Sequence, residues 1–218
     1  MTFNPQPIHA ADPRIWLASA SPRRRSLLEQ IGLVPVVRAS SVPERPDPGE
    51  APVDYTERLA RSKGVAVREA FSDAERDAGP HWIVAADTVV VHLGVILEKP
   101  ASVAEARALV SGLGGATHEV VTGFWVGDVA SRASFAGHVR TQVTFRSLDE
   151  GAVDRYVQTG EPMDKAGGYG IQGVGAFLVE RIEGCYFNVV GLPISAVLAA
   201  LDDLGALGAF PFAAAGGR

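Results

Sequence analysis

The sequence predicts an α/β fold built on long antiparallel ribbons, with no regular strand–helix–strand series. Three observations predict it. A short apolar strand at 14–19 runs directly into a helix signature at 21–32. Two long segments, 117–128 and 134–146, read as paired strands, the second alternating Val139, Thr141, Val143 and Phe145. Helical patterns at 54–71, 102–111 and 192–204 are scattered among the strands and do not alternate with them one for one.

Each element has a local reason. Ser21 suits an N-cap and Pro22 the first helical position, Leu27, Leu28 and Ile31 form one face, and Gly32 ends the helix. A second strand spans 34–38, and a Pro-rich loop follows from Ser40 to Pro52. Asp54-Tyr-Thr-Glu57 has capping-box spacing and opens the helix at 54–71; residues 72–80 read as a polar loop. The apolar strand 82–86 ends at Asp87, and 89–97 reads as a hairpin turning near Gly94. Ser102-Val-Ala-Glu105 opens the next helix, closed by Gly112 and Gly114-Gly115. After the two long strands come a short helix at 149–159, a Gly-rich loop at 161–175, a strand at 176–182 and the last helix. Residues 1–13 read as a loose lead, 14–205 as one domain, and 206–218 as an Ala/Gly-rich flexible tail.

Composition narrows the function. The chain has 218 residues, 47% of them hydrophobic, which suits a globular domain and excludes a disordered one. Its net charge of -5 argues against a nucleic-acid coat, since phosphate-backbone binding needs an excess of Lys and Arg. An anion site must therefore be built locally. The one cysteine, Cys185, has no partner for an intrachain disulfide, and the N-terminus shows no basic-apolar leader. The uncharged run 184–201 is interrupted by Asn188, Gly191, Pro193 and Ser195 and reads as buried core, not a membrane span. The expectation is a soluble, cytoplasmic protein.

Four clusters carry chemistry. Ser19-Ala-Ser21-Pro22-Arg23-Arg24-Arg25 joins a strand to a helix N-terminus, where free N–H groups and the positive dipole end favour an anion. Cations in a first helical turn oppose the dipole at about 0.3–1 kcal/mol each, so three of them there favour a phosphate ligand over the other reading, a capped surface helix with solvated arginines. Asp87, followed by Thr88, sits where an apolar strand ends; taken alone it reads first as a turn-former, and otherwise as a metal ligand, a general base, or both. Each of Glu44 on the Pro-rich loop, Lys63 on the helix 54–71 and Lys99 after the hairpin reads first as a solvated charge when taken singly; together they are the kind of groups that a triphosphate and its divalent metal require. Finally, Gly168, Gly170 and Gly173 spell G-x-G-x-x-G, yet a helix precedes them and a strand follows, the reverse of a dinucleotide fingerprint. This segment reads instead as a loop approaching a ligand closely, with Lys165 for charge and Gln172 for hydrogen bonding.

Taken together, Leu17-Ala-Ser-Ala-Ser-Pro-Arg-Arg24, Ala86-Asp-Thr-Val-Val90, Glu98-Lys-Pro100, Asp164-Lys-Ala-Gly-Gly-Tyr-Gly-Ile-Gln-Gly173 and Val190-Gly-Leu-Pro193 resemble the Maf family of nucleoside triphosphate pyrophosphatases, in order, from about residue 15 to 204. The resemblance implies the α/β fold shared with inosine triphosphate pyrophosphatases, an elongated mixed sheet flanked by helices with a cleft between two lobes. It implies cleavage of a nucleoside triphosphate between its α- and β-phosphates, in a house-cleaning role, with a divalent cation (Mg or Mn). By the same resemblance Asp87 is the proton acceptor for the attacking water, Glu44 and Asp87 face the metal, and Ser19, Arg24, Lys63 and Lys99 line the phosphates, where Lys165 adds its charge.

Two branches of the family differ at positions matching Arg23, Thr88 and Gln172, and this sequence resembles the branch acting on dTTP and UTP. The chemistry agrees: an amide both donates and accepts, matching O4 and N3–H of uracil or thymine, whereas a carboxylate only accepts and suits guanine. The expected partner is a pyrimidine nucleoside triphosphate, natural or modified, and neither nucleic acid nor membrane; the ribbon strands and apolar hairpin offer a surface for a homodimer. The alternative is a nucleotide-sensing regulatory protein linked to septum formation, which need not retain Asp87, Glu44 and the lysines together.

Overall fold

Side chains alternate along the strand at the centre of the sheet, and that alternation decides which helix covers which face. The computed structural model describes residues 14–77 and 81–208; the expected lead, 1–13, and the last ten residues of the expected tail lie outside the described residues. The chain runs β1 (Arg14–Leu17), α1 (Pro22–Gln30), β2 (Val36–Val37), α2 (Pro52–Glu69), α3 (Asp73–Asp77), β3 (His81–His92), β4 (Val95–Leu97), α4 (Val103–Leu113), β5 (Thr117–Asp128), β6 (Ser134–Phe145), α5 (Glu150–Gln158), β7 (Val179–Glu183), α6 (Tyr186–Val190) and α7 (Ile194–Asp203).

One mixed sheet has the order β2-β1-β3-β5-β6-β7, with β4 also paired to β3. β1 is parallel to both its neighbours; β5 and β6 form the predicted antiparallel ribbon, which β3 and β7 extend on either side, also antiparallel. Val84 and Ala86 of β3 pack with Phe124 and Val126 of β5 under Leu27 of α1 and Leu201 of α7. Their neighbours Ile83 and Ala85 face the opposite way, with Trp125, against Ala60 and Val67 of α2. The far half of the sheet buries Val143 and Phe145 against Val110 of α4 and Tyr156 of α5. Each such aliphatic or aromatic side chain contributes about 1.5–3 kcal/mol when fully buried.

Helix α2 lies unusually close to the sheet. A Cβ on Gly123 of β5 would fall 2.3 Å from the Thr56 carbonyl carbon, and one on Gly64 of α2 would fall 2.1 Å from Trp125. Backbone therefore rests on backbone, which sets the reach of Lys63, the residue before Gly64.

Several local expectations change. The capping box at Asp54 does not form: α2 starts earlier, at Pro52, whose fixed φ needs no cap, and the Thr56 hydroxyl donates back to the Pro52 carbonyl at 3.0 Å. Ser21 holds the N-cap position of α1 without a side-chain cap bond, whereas Ser102 accepts from the Glu105 N–H at 3.2 Å as predicted. The polar loop expected at 72–80 instead contains α3, opened by a capping box: Ser72 N–H donates to Glu75 at 2.8 Å, and Glu75 N–H donates to the Ser72 hydroxyl at 3.3 Å. The strand expected at 176–182 begins only at Val179, after a 3-10 segment, Val174–Leu178. The helix expected at 192–204 is preceded by α6, because Gly191 and Pro193 break the run in two. Ala206 and Leu207, expected in the flexible tail, are buried in the core beside α7. Among the described residues, no helix is long and apolar enough to cross a membrane.

Candidate active site

The site opens where the sheet loses a strand on one edge. Pairing of β1 with β3 ends at Leu17 and Val84, and pairing of β4 with β3 begins at Val90 and Leu97. Across that interval β3 stays paired to β5, so Ala85–Val89 are held rigid on one side and uncovered on the other. A cavity of about 600 Å³ fills the interval. Asp87 was expected at a strand's end; it lies mid-strand, and what ends beside it is β1. Because successive residues of a strand face opposite ways, Asp87 turns to α2 and Thr88 to α1 and α6.

On the α2 side, Lys63 donates to Asp87 Oδ1 at 2.6 Å and lies 2.6 Å from Glu44 Oε1. Lys63 and Asp87 are buried, at 5% and 7% exposure, while Glu44 reaches in from the Pro-rich loop. Burial pushes the Glu44 carboxyl up, but the hydrogen bond and charge of Lys63, aided by Lys99 and Arg24, hold it below its ordinary value on balance. Tyr55 shares this wall; burial first, then the charges of Asp87, Glu44 and Glu98, push its hydroxyl up to about 12, so it remains a donor at neutral pH.

On the other side, Arg24 is buried and each of its nitrogens has a protein acceptor. Nε donates to the Gly191 carbonyl at 2.8 Å, Nη1 to the Ser19 hydroxyl at 3.0 Å and Nη2 to the Thr88 hydroxyl at 3.0 Å. Gly191 adopts φ 122, a conformation that side chains rarely allow, and so turns its carbonyl to the guanidinium. Burial lowers the Arg24 pKa, against the opposing pull of Asp87 and Glu44; a guanidinium stays charged regardless. Arg25, expected to share the anion site, turns away and pairs with Glu29 at 2.7 Å. Arg23 crosses the cavity mouth to Asp164 at 3.0 Å, and Lys165 holds the other oxygen of that carboxylate at 2.6 Å. Burial raises the Asp164 carboxyl, and the hydrogen bonds from Lys165 and Arg23 lower it further than burial lifts it.

Apart from Arg25, every residue predicted for the site lines this cavity, including Lys99, exposed just after β4, and Gln172, half-buried in the Gly-rich segment. That segment is three short 3-10 turns followed by β7, so its G-x-G-x-x-G opens no α-helix. Glu161 staples it, accepting from the N–H groups of Val174 at 2.9 Å and Gly175 at 3.0 Å. Sequence reasoning assigned no role to Asp164 or Tyr55. Asp164 stands beside Lys165, but nothing local announces a partner 141 positions upstream. Tyr55 was absorbed into a capping box that does not form.

The donor set suits a hard divalent cation. Glu44 and Asp87 converge on a single ammonium, and Glu98 lines the same cavity, all offering oxygen. Among the described residues no group of three or more His, Cys, Asp or Glu is gathered tightly enough to cage a metal alone. Mg²⁺ is usually held by one or two carboxylates together with waters and substrate phosphates, so the residues fit a cation that arrives with a phosphorylated ligand.

Comparison with known proteins agrees with this architecture. A family model described as Maf-like protein matches residues 14–204. The chain is 48% identical over 194 residues to the dTTP/UTP pyrophosphatase of Geobacter sulfurreducens, covering 89% of this chain and 98% of that protein. The proteins of the same name from Geobacter metallireducens and Myxococcus xanthus are 48% and 46% identical, over 89% and 91% of this chain and 97% and 96% of theirs. With the family model covering the sheet and every wall of the cavity, and relatives matched along nearly their whole length, the chain belongs to the Maf family.

Proposed function

We propose that this chain hydrolyses dTTP and UTP, or a modified pyrimidine triphosphate, to the monophosphate and pyrophosphate, cleansing the cytoplasmic nucleotide pool. The single observation that supports it most is the gap in the sheet edge. There two consecutive residues of β3 serve two chemistries: Asp87 faces the carboxylate–lysine wall, and Thr88 faces the buried arginine. The names of the relatives supply the substrate class.

In this reading the triphosphate enters with its anionic tail toward Ser19, Arg24, Lys63, Lys99 and Lys165. Arg24 is already oriented by its three acceptors, so it grips phosphate oxygens with little rearrangement. A water attacks the α-phosphorus, its proton passes to the Asp87 carboxylate, and the bond to the bridging oxygen breaks, releasing pyrophosphate. Lys63 fixes the orientation of Asp87 for that transfer. Glu44 and Asp87 would hold a divalent cation, Mg or Mn, which supplies charge neutralisation on the phosphates. Gln172 reads the pyrimidine edge through its amide, and Arg23 and Thr88 complete the selection.

The test is pyrophosphate release from dTTP, UTP, CTP, dCTP, GTP, 7-methyl-GTP and ITP with Mg²⁺ or Mn²⁺, for wild type and Asp87→Asn. Fast release from dTTP and UTP with monophosphate as co-product, lost in Asp87→Asn, supports the reading. A purine preference overturns the assignment of Gln172. Absence of release from every nucleotide moves the weight to a nucleotide-sensing protein.

A further inference from the structure

Behind Thr88 lies a hydroxyl that the reaction as described does not use. Thr122 of β5 sits directly opposite Thr88 in the strand register, is fully buried, and does not line the cavity. Its Oγ1 lies 2.9 Å from Thr88 Oγ1 and 3.2 Å from the backbone carbonyl of Asn188. A carbonyl only accepts, so the one O–H of Thr122 goes to Asn188. Either hydroxyl could donate to the other; with the Thr122 O–H given to Asn188, Thr122 Oγ1 accepts from Thr88, and the Thr88 oxygen in turn accepts the Arg24 Nη2–H. The protons are thereby ordered in one direction, from guanidinium to Thr88 to Thr122 to the Asn188 carbonyl. The other acceptor open to the Thr88 hydroxyl, the Gly191 carbonyl, is farther, at 3.4 Å. The far end is pinned, because the buried Asn188 amide donates to the Val120 carbonyl at 3.0 Å and to the Thr141 hydroxyl at 2.9 Å.

Resting on the proposed function, we infer that Thr122 is a positioning residue for phosphate binding: acting through Thr88, it holds the Arg24 guanidinium at the angle that receives the triphosphate. A chain of aligned bonds in a low-dielectric interior strengthens each of its members. Arg24 keeps one N–H on each Nη beyond those already donated, and the chain determines where those two point. Thr122 touches no substrate, and what it passes through Thr88 to Arg24 falls on the phosphate grip that all nucleotides share.

The experiment compares full-length wild type with Thr122→Val, Thr122→Ser, Thr88→Val and the Thr88→Val/Thr122→Val double variant. It measures UTP turnover alongside calorimetric titration with inorganic pyrophosphate. Thr122→Val removes the hydroxyl at nearly constant volume and should weaken pyrophosphate binding and kcat/KM for UTP roughly three- to tenfold. The same factor should appear with dTTP, and Thr122→Ser should return both readouts to within about twofold of wild type. In the Thr88→Val background the second substitution should add nothing, since the chain is already cut. Unchanged pyrophosphate affinity in Thr122→Val, a full additional loss in the double variant, or a wild type that binds no pyrophosphate overturns the inference. Should Thr122→Val not fold, Thr122→Ala, which also lacks the hydroxyl, decides the same question. A wild type that binds pyrophosphate but hydrolyses no nucleotide sinks the proposed activity while leaving the positioning role to be read from the titration.

Discussion

Lys63 Nζ stands 2.6 Å from Asp87 Oδ1, and both groups are almost wholly withdrawn from water. Two charges buried this deeply are tolerable only as a pair, and removing either partner strands the other. Glu44 shares the same ammonium, so the wall of the cavity is organised around one lysine. Replacing Lys63 with Met should reduce kcat/KM for UTP by on the order of a hundredfold or more, through lost phosphate charge and a misdirected Asp87. It should also move the acid limb of the pH–rate profile upward. Lys63 is the chief influence holding Glu44 below its ordinary value; without it the burial that raises the carboxyl remains. An unmoved acid limb in Lys63→Met would exclude this origin for the wild-type profile.

Asp87→Asn keeps the shape of the side chain and a hydrogen-bonding oxygen for Lys63 but removes the proton acceptor. Turnover should fall about 10²- to 10⁴-fold, the usual contribution of a general base. Pyrophosphate affinity, read by calorimetry, should stay within a few-fold of wild type.

Gln172→Glu replaces a group that donates and accepts with one that only accepts. The ratio of kcat/KM for UTP to that for GTP should fall by about tenfold or more, the scale of discrimination lost when a hydrogen-bonded edge is mismatched. An unchanged ratio would remove Gln172 from base selection.

Gly123→Ala tests how α2 is seated. The added methyl would lie 2.3 Å from the Thr56 backbone, so helix and sheet must part. Overpacking of this kind destabilises by about 1–3 kcal/mol or more, and a shifted α2 carries Lys63 away from Asp87. Urea denaturation and UTP turnover should therefore both deteriorate, whereas Gly112→Ala, on α4 with open space around its Cβ, should leave turnover unaltered.

His118 predicts an acid-sensitive core. Burial, with the charge of His92, pushes its pKa down to about 4, while its Nε2 lies 2.8 Å from the Tyr169 hydroxyl. The unfolded chain takes up that proton near the ordinary value of 6.5 and the folded chain only near 4. Between those values the unfolded state binds more protons, so stability falls as pH drops through the window and levels off beneath it. Glu44 and Asp164, whose carboxyls are lowered on folding, lose their contribution only below their ordinary values of 4.5 and 3.8. Urea midpoints at pH 7, 6, 5 and 4 should show the decline, and His118→Gln should flatten it.

Much of this was legible along the chain. The Ser19–Arg25 turn, the paired strands and the Gly-rich segment are local features, governed by caps, periodicity and backbone freedom over a few residues. Most of the residues that meet in the cavity were legible too, because each belongs to a short motif with its own chemistry; Tyr55 and Asp164 were not. Where local reading failed, a second local signal competed with the first. Pro52 started α2 ahead of the Asp54 box, and Ser72 with Glu75 built a helical turn inside what looked like a polar loop.

The amino-acid sequence by itself determined most of the inventory: the principal strands and helices, their order, and which cations and carboxylates are offered to a phosphate. The tertiary structure alone decided the pairings, Lys63 with Asp87, Arg23 with Asp164 across 141 positions, and Thr88 with Thr122 behind Arg24. The reason is register and approach. A slip of one residue in β3 against β5 would exchange the faces of Asp87 and Thr88. Lys63 reaches its carboxylate because Gly123 and Gly64 let α2 lie on the sheet. Such relations arise between segments distant in the chain, and no short-range pattern encodes them.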